Sequence, residues 1–267
     1  EVQTCALPIL GFSISSFTGP LIAGFMIDHV SYSFAYASCG LFTMIAFGLT
    51  VSGALAHLPI QSSSHHHAKG SPLQLLRDSD LRRVYIVGIL LAAAWDMFAF
   101  VTPVHGSSLG FSASTIGMIL ACFAAATFSV RLAMPGIVRR YREWQILTVA
   151  LTTAAICYVI FPFMDTPITL AGTAAVLGLA LGTGQPNVLA LLHSIAPAGR
   201  SAEAIGIRAT IGNASSVMMP LAFGAAGATL GMFVVFWGIS LAIAAGIPLA
   251  ASKAMAQARK NLSTTEE

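Results

Sequence analysis

The chain has 267 residues, of which 56% are hydrophobic and only 9% are charged, and its formal net charge is +3. A soluble domain carries about 25% charged residues, so this chain has too few polar groups to cover a surface in water. The composition excludes a soluble globular domain and predicts a protein that lies mainly in a lipid bilayer.

Eight apolar stretches follow one another along the chain, each close to the ~20 residues that a membrane-spanning helix needs. They are residues 10–27, 34–56, 84–103, 113–134, 144–162, 168–191, 206–228 and 231–251. Only a turn at Gly231 separates the last two. We therefore predict an all-α bundle of eight transmembrane helices. Before the first stretch, residues 2–9 match the translation of a common sequencing adapter, and we interpret residues 1–9 as a non-native leader.

The basic residues indicate the orientation of the predicted helices. All thirteen Lys and Arg residues lie in or beside alternate connections. The four connections without any are 28–33, 104–112, 163–167 and 229–230. Lys and Arg are retained on the cytoplasmic side of a membrane. We therefore expect both termini, the loop 57–83 and the tail 253–267 to be cytoplasmic, in a bacterial inner membrane.

The loop 57–83 is the longest polar stretch. It contains three consecutive histidines at 65–67, which could bind a metal weakly but are more typical of a solvated linker. We expect neither a metal site nor a cofactor. Farther on, Ser71, Pro72 and Gln74 form a capping-box pattern with Pro at the first helical position. This pattern predicts a short interfacial helix that leads into the third span.

A motif in the first predicted span resembles a known family. Gly19-Pro20 followed by Gly24 resembles the glycine–proline motif in the fifth helix of major facilitator transporters, with Ser15 where a glycine is commoner. In the same family a long cytoplasmic loop joins two six-helix halves, and the loop 57–83 is similar to it. The resemblance implies that residues 10–56 are the last two helices of the N-terminal half.

Three later segments resemble the C-terminal half of the same family. Residues 131–140 are similar to its basic loop motif. Residues 182–187 are similar to its tenth helix, and residues 199–208 to the loop that enters its eleventh helix. The resemblance implies that 84–252 is the complete C-terminal half. It also implies that the first four helices of the family are absent, so we expect the chain alone to be inactive in transport.

Asp96 is the acidic residue that lies deep in a predicted span, about 4 Å beyond the midplane at 1.5 Å per residue. Ionisable residues at such depth usually face a cavity or a partner, and they often relay protons. We expect no Lys, Arg or His at a comparable depth to neutralise it. We therefore interpret Asp96 as a proton-coupling residue, with a neutral Asp that only fixes packing as the alternative.

Four other residues are candidates for a solute cavity. Gln185 and Asn187 flank Pro186, which removes a backbone donor and loosens the helix, although a plain kink explains the same pattern. Trp95 could stack on a solute, with an ordinary packing or lipid contact as the alternative. Asn213 could hydrogen-bond to a solute, with a hydrogen bond across helices as the alternative.

Three arginines, Arg131, Arg139 and Arg140, are candidates for a cytoplasmic gate between helices. Their position follows equally from the rule that keeps basic residues on the cytoplasmic side. The sequence leaves both interpretations open.

Together these residues favour secondary active transport of a small solute by alternating access, coupled to protons. The expected partners are the lipid bilayer, a small-molecule substrate and protons, with no nucleic acid. A non-transporting structural or receptor protein is the alternative. An intramembrane enzyme fits less well, because an aspartyl protease needs two intramembrane carboxylates and a serine protease needs a Ser–His pair at one depth. His105 and His193 both lie at span ends, so we expect no enzymatic activity.

Overall fold

The computed structural model describes residues 2–52 and 72–265. These residues form α-helices and one short 3₁₀ turn at Phe161–Phe163, with no strand among them. In chain order the helices are α1 (Val2–His29), α2 (Tyr32–Val51), α3 (Pro72–Arg77), α4 (Ser79–Ser108), α5 (Ala113–Arg140), α6 (Glu143–Ile160), α7 (Pro167–Ile195), α8 (Ser201–Leu230) and α9 (Met232–Thr265). The predicted all-helical architecture is confirmed.

Six of the described helices are long and apolar enough to cross a membrane. They are α2, α4, α5, α6 with the 3₁₀ turn, α7, and α9 as far as Gln257. Since α1 and α8 are not among them, the predicted count of eight spans is not confirmed. In α8 the polar side chains of Arg208, Asn213 and Ser216 reduce the hydropathy of the helix, and all three line a cavity inside the protein.

Polar side chains cap the helices where the apolar stretches are interrupted. The Ser31 hydroxyl accepts a hydrogen bond from the backbone N–H of Phe34 at 3.2 Å. The Asp78 carboxylate accepts from the N–H groups of Asp80 and Leu81 at 2.8 and 3.0 Å. Such caps satisfy N–H groups that have no partner within the first turn of a helix. Asp78 therefore separates α4 from the short helix α3. The sequence predicted a single short interfacial helix before the third span, and α3 is the part of that segment before Asp78.

Gly231 is the turn between the last two helices, as predicted. Its φ of +86° lies in the left-handed region, which glycine adopts without steric cost. α9 then continues as a helix through most of the predicted tail 253–267. The predicted capping residue Ser71 and the histidines at 65–67 lie outside the described residues.

Glycines allow α5 and α7 to pack closely. A Cβ added to Gly182 would lie 2.6 Å from Val130 Cγ1 and 3.1 Å from Thr127 Cα. One turn earlier Gly178 faces the carbonyl of Phe123 in the same way, and Thr127 Oγ1 donates to the Gly178 carbonyl at 3.1 Å. Because both contacting positions advance by one turn together, the two helices run parallel. Close approach of small residues stabilises helix pairs where lipid provides no hydrophobic driving force.

Helices α4 and α8 also run parallel, and they keep a constant register. Near their starts the Tyr85 hydroxyl donates to the carbonyl of Ala204 at 3.3 Å, across a separation of 119 residues. Three turns farther on, Asp96 meets Ser216 across a separation of 120 residues. This register aligns the polar face of α8 with the middle of α4, and it determines which side chains share a cavity.

Candidate solute-binding cavity

A polar cavity of about 430 Å³ lies between α4, α7 and α8. Its wall carries six side chains that can form hydrogen bonds: Trp95, Asp96, Gln185, Arg208, Asn213 and Ser216. Gly212 also lines the cavity and leaves open space in the wall, whereas Gly184 packs against Leu91. Four sequence candidates, Asp96, Trp95, Gln185 and Asn213, are therefore brought together at one place, although their roles towards a solute stay predictions.

Asp96 is held across the contact between α4 and α8. Its Oδ2 accepts a hydrogen bond from Ser216 Oγ at 2.5 Å. The same hydroxyl lies 3.2 Å from the backbone carbonyl of Gly212, one turn earlier in α8. Within the residues that the structure describes, Asp96 takes part in no salt bridge. The carboxylate is thus partly exposed to the cavity and is held by a neutral partner.

Arg131 contradicts the expectation that no basic residue lies near the depth of Asp96. Its guanidinium carbon lies 5.8 Å from the centroid of the Trp95 ring, within the range of a cation–π contact. Its Nη2 donates to Gln185 Oε1 at 3.3 Å. The physical reason is that helical side chains point towards the N-terminus of their helix, which carries the long Arg131 side chain from the C-terminal third of α5 towards the middle of the bundle.

Arg139 and Arg140 lie farther along α5, in its last turn, where both are exposed. Neither belongs to the wall of the cavity. Arg131 thus contacts the cavity wall, whereas the other two gate candidates lie at the end of the helix. A gating role for the three arginines stays a prediction.

Arg208 is a cavity residue that the sequence predicted to lie beside a cytoplasmic connection, at the start of the span 206–228. Because α8 begins at Ser201, Arg208 lies about two turns inside the helix. Its Nε is 3.8 Å from the position that a Cβ on Gly88 would occupy. Neither salt bridge in the described part of the chain involves it. The sequence does contain a sign of this position. Arg208, Gly212 and Ser216 are spaced four residues apart, which places them on one face of a helix.

Asn187 is placed outside the cavity wall, contrary to the expectation that it lines the cavity. Only 1% of its surface is exposed, and its Nδ2 donates to the carbonyl of Thr183 at 2.7 Å, one turn earlier in the same helix. α7 continues through Pro186 without a break. Two residues along a helix correspond to a rotation of about 200°, so Gln185 and Asn187 cannot both face the cavity.

The glycine–proline motif lies where α1 contacts α5. A Cβ added to Gly24 would lie 2.5 Å from the carbonyl oxygen of Ala113, and the carbonyl of Pro20 faces Gly117 in the same tight manner. Gly19, by contrast, has no atom of another described helix within 4 Å of its Cβ position. Of the two motif glycines, Gly24 is therefore the one that permits the close approach of the two helices.

A carboxylate at the end of α1 caps the start of α5. Asp28, just beyond the predicted span 10–27, accepts hydrogen bonds from the backbone N–H groups of Ala113 at 3.0 Å and Ser114 at 2.7 Å. Hydrogen bonding by Ser114 lowers the pKa of Asp28 from 3.8 to about 2. An acidic side chain at a helix N-terminus also interacts favourably with the helix dipole. Asp28 thus joins the predicted N-terminal and C-terminal halves at the face predicted to be extracellular.

A larger groove, of about 570 Å³, lies beside α6 and between α5 and α7. Its wall is mainly apolar and includes the exposed side chains of Val149, Val176 and Leu179, and no charged residue lines it. Apolar side chains that remain exposed in a membrane protein contact lipid. The smaller polar cavity is therefore the better candidate for binding a solute.

An all-helical membrane protein with a polar cavity among its helices has the architecture of a membrane transporter. The family model described as Major Facilitator Superfamily matches residues 6–220 and residues 84–266. The chain belongs to this superfamily, whose members are membrane transporters, and the resemblance drawn from the motifs is confirmed. Among curated proteins, no match to the chain was found.

Proposed function

We propose that the chain is part of a secondary active transporter of a small solute, with the cavity between α4, α7 and α8 as the solute site and Asp96 as the proton-coupling residue. Membership of the superfamily supports membrane transport in general. The observation that carries the finer proposal is the position of Asp96, which faces the cavity and contacts a second helix through Ser216.

Ser216 is a suitable partner for a carboxyl group that gains and loses a proton. A hydroxyl can both donate and accept a hydrogen bond. When Asp96 is ionised, Ser216 donates to it at the observed 2.5 Å. When Asp96 is protonated, it can donate to Ser216, whose own hydrogen then turns to the Gly212 carbonyl at 3.2 Å. The contact between α4 and α8 is therefore satisfied in both protonation states.

Two basic side chains lie on the helices that neighbour Asp96. Arg131 approaches from α5 beside Trp95, and Arg208 lines the same cavity from α8. An opposite charge nearby stabilises a carboxylate, whereas exclusion of water destabilises it. A change in the access of water to the cavity, as in alternating access, therefore shifts the balance between the two forms and couples a proton to the movement of the solute.

The test uses membrane vesicles from cells that express the complete gene containing this coding sequence. Labelled benzoate, succinate, choline and glucose are offered with and without a pH gradient. We expect gradient-driven accumulation of at least one of them. Asp96→Asn should abolish that accumulation and preserve exchange of the same solute at equal pH, because the substitution keeps the shape of the side chain and removes its proton.

Two control variants accompany this test. Asp165→Asn removes an exposed carboxylate outside the cavity and should leave accumulation unchanged. Asp96→Glu keeps a titratable group and should retain part of the coupling. Accumulation in Asp96→Asn at the parental level, with the parental pH dependence, would show that Asp96 does not couple protons. Failure of Asp96→Asn to insert would favour the structural role.

A further inference from the structure

We propose that the solute bound in this cavity carries an anionic group, a carboxylate or a phosphate, and that Arg208 binds that group. The inference rests on the proposed solute site and adds the chemical class of the solute. Arg208 lines the cavity on α8, eight residues before Ser216. A guanidinium presents a planar set of N–H donors that matches carboxylate and phosphate oxygens with two parallel hydrogen bonds.

No described carboxylate neutralises Arg208. The acidic residues of the described ranges are each engaged elsewhere or lie at helix ends: Asp28 caps α5, Asp78 caps α4, Asp80 pairs with Lys253, Asp96 bonds Ser216, Glu203 pairs with Arg200, and Glu143 and Asp165 flank α6 and α7. A charge inside a protein without a counter-charge is costly. An anionic ligand supplies that counter-charge, so the cavity is complementary to an anion.

The spacing along α8 separates the anion site from the proton site. Eight helical residues correspond to about 12 Å, which separates Arg208 from the Ser216 that holds Asp96. The charged groups of a free α-amino acid are only a few bonds apart, so an amino acid would not reach both. We infer an organic anion whose charged end lies at Arg208 and whose uncharged part extends along Trp95 towards Asp96.

The test measures the electrostatic preference of the cavity without knowledge of the natural solute. Gly212 lines the cavity, one turn from Arg208, and its Cβ position has no atom within 4 Å, so Gly212→Cys introduces a thiol there without a clash. In a background without the four native cysteines, this thiol reacts with an anionic sulfonatoethyl or a cationic trimethylammonioethyl methanethiosulfonate. Ser107 is exposed at the C-terminal end of α4, and Ser107→Cys is the reference thiol. It gives the ratio of the anionic to the cationic reaction rate outside the cavity.

The probe is placed in a background that also carries Asp96→Asn, because Ser216 Oγ contacts both the Asp96 carboxylate and the Gly212 carbonyl, and the native carboxylate would act on the reagents as well. The positive charge of Arg208 at about 8 Å then favours the anion and disfavours the cation several-fold each, so the ratio of rates at Gly212→Cys should exceed that at Ser107→Cys at least ~10-fold. Adding Arg208→Gln should remove most of this excess, whereas Arg208→Lys should keep it. Arg82→Gln, which removes an exposed charge outside the cavity, should leave the ratio unchanged. A ratio equal to that of Ser107→Cys, or one that Arg208→Gln does not change, would overturn the proposal.

A competition experiment then separates a positive cavity from an anion-binding one. Benzoate, succinate and phenyl phosphate are each added before the thiol reagents. At least one of them should slow modification of Gly212→Cys, and the protection should disappear with Arg208→Gln. Protection by choline equal to that by the anions, or no protection by any of the three anions, would overturn the anion assignment. Proton coupling by Asp96 would be unaffected by that result, since its own test reads gradient-driven accumulation.

Discussion

The contact between α1 and α5 offers the sharpest test of the packing, because two glycines of one motif differ in their surroundings. A Cβ on Gly24 would lie 2.5 Å from the oxygen and 3.0 Å from the carbon of the Ala113 carbonyl, and 3.1 Å from Ser114 Cα. All three atoms are backbone, so no side chain can turn away. Gly24→Ala therefore requires α1 to retreat from α5 by about 1 Å, and overpacking of this kind costs about 1–3 kcal/mol.

Gly19→Ala is the matched control, since it lies on the same helix with no atom within 4 Å of its Cβ position. Both substitutions gain about 1 kcal/mol of helix propensity, and this gain cancels when the two variants are compared. We expect Gly24→Ala to be less stable than Gly19→Ala by about 1–3 kcal/mol, measured as the shift in denaturant-induced unfolding of the purified protein in mixed micelles. Equal stabilities would refute the close approach of α1 and α5.

Three further predictions follow from other contacts. Gly178→Ala should lower the midpoint of thermal unfolding, because its Cβ would meet the Phe123 carbonyl. Gly172→Ala, on the same helix, should not lower it, because the space around Gly172 is open. Similar midpoints for the two variants would contradict the α5–α7 packing. Because the pKa of Asp28 is lowered to about 2, its ionised form contributes stability above pH 4 that is lost as the pH falls towards 2. Asp28→Asn should therefore reduce the loss of stability between pH 4 and pH 2, and its stability curve at pH 5–8 should run parallel to that of the parent. The same loss of stability in the variant as in the parent would show that Asp28 is not its cause. In intact cells Ser107→Cys should react with an impermeant thiol reagent and Ser201→Cys should not, and the reverse pattern would overturn the predicted orientation.

The sequence located the helices well, because span length and apolar content depend on the bilayer and not on neighbouring helices. The turn at Gly231 and the starts of the predicted spans at 113 and 168 agree closely with the observed helices. Helix ends were less accurate. The predicted span 113–134 stops six residues before α5 does, since hydropathy detects only the apolar part of a helix whose last turn contains Arg139 and Arg140.

The cavity was only partly predictable, because the direction in which a residue faces depends on packing. Asp96 stood out through its charge alone. Gln185 and Asn187 are equally polar, yet only the first lines the cavity, and nothing in an otherwise apolar helix indicates its rotation about its own axis. Arg208 was misassigned because α8 begins five residues before the predicted span, which places a residue near the predicted edge well inside the helix.

The constant register of α4 against α8 has a consequence for how coupling would work. The contacts of Tyr85 with Ala204 and of Asp96 with Ser216 fix the two helices at both ends of the cavity. Two parallel rods that are joined at two points translate and rotate as one body. The separation between the guanidinium of Arg208 and the carboxyl of Asp96 then stays nearly constant through a transport cycle. The distance between the proton site and the anion site would then not change during transport. Binding of the proton and binding of the anion would instead be coupled by the side of the membrane from which water enters the cavity.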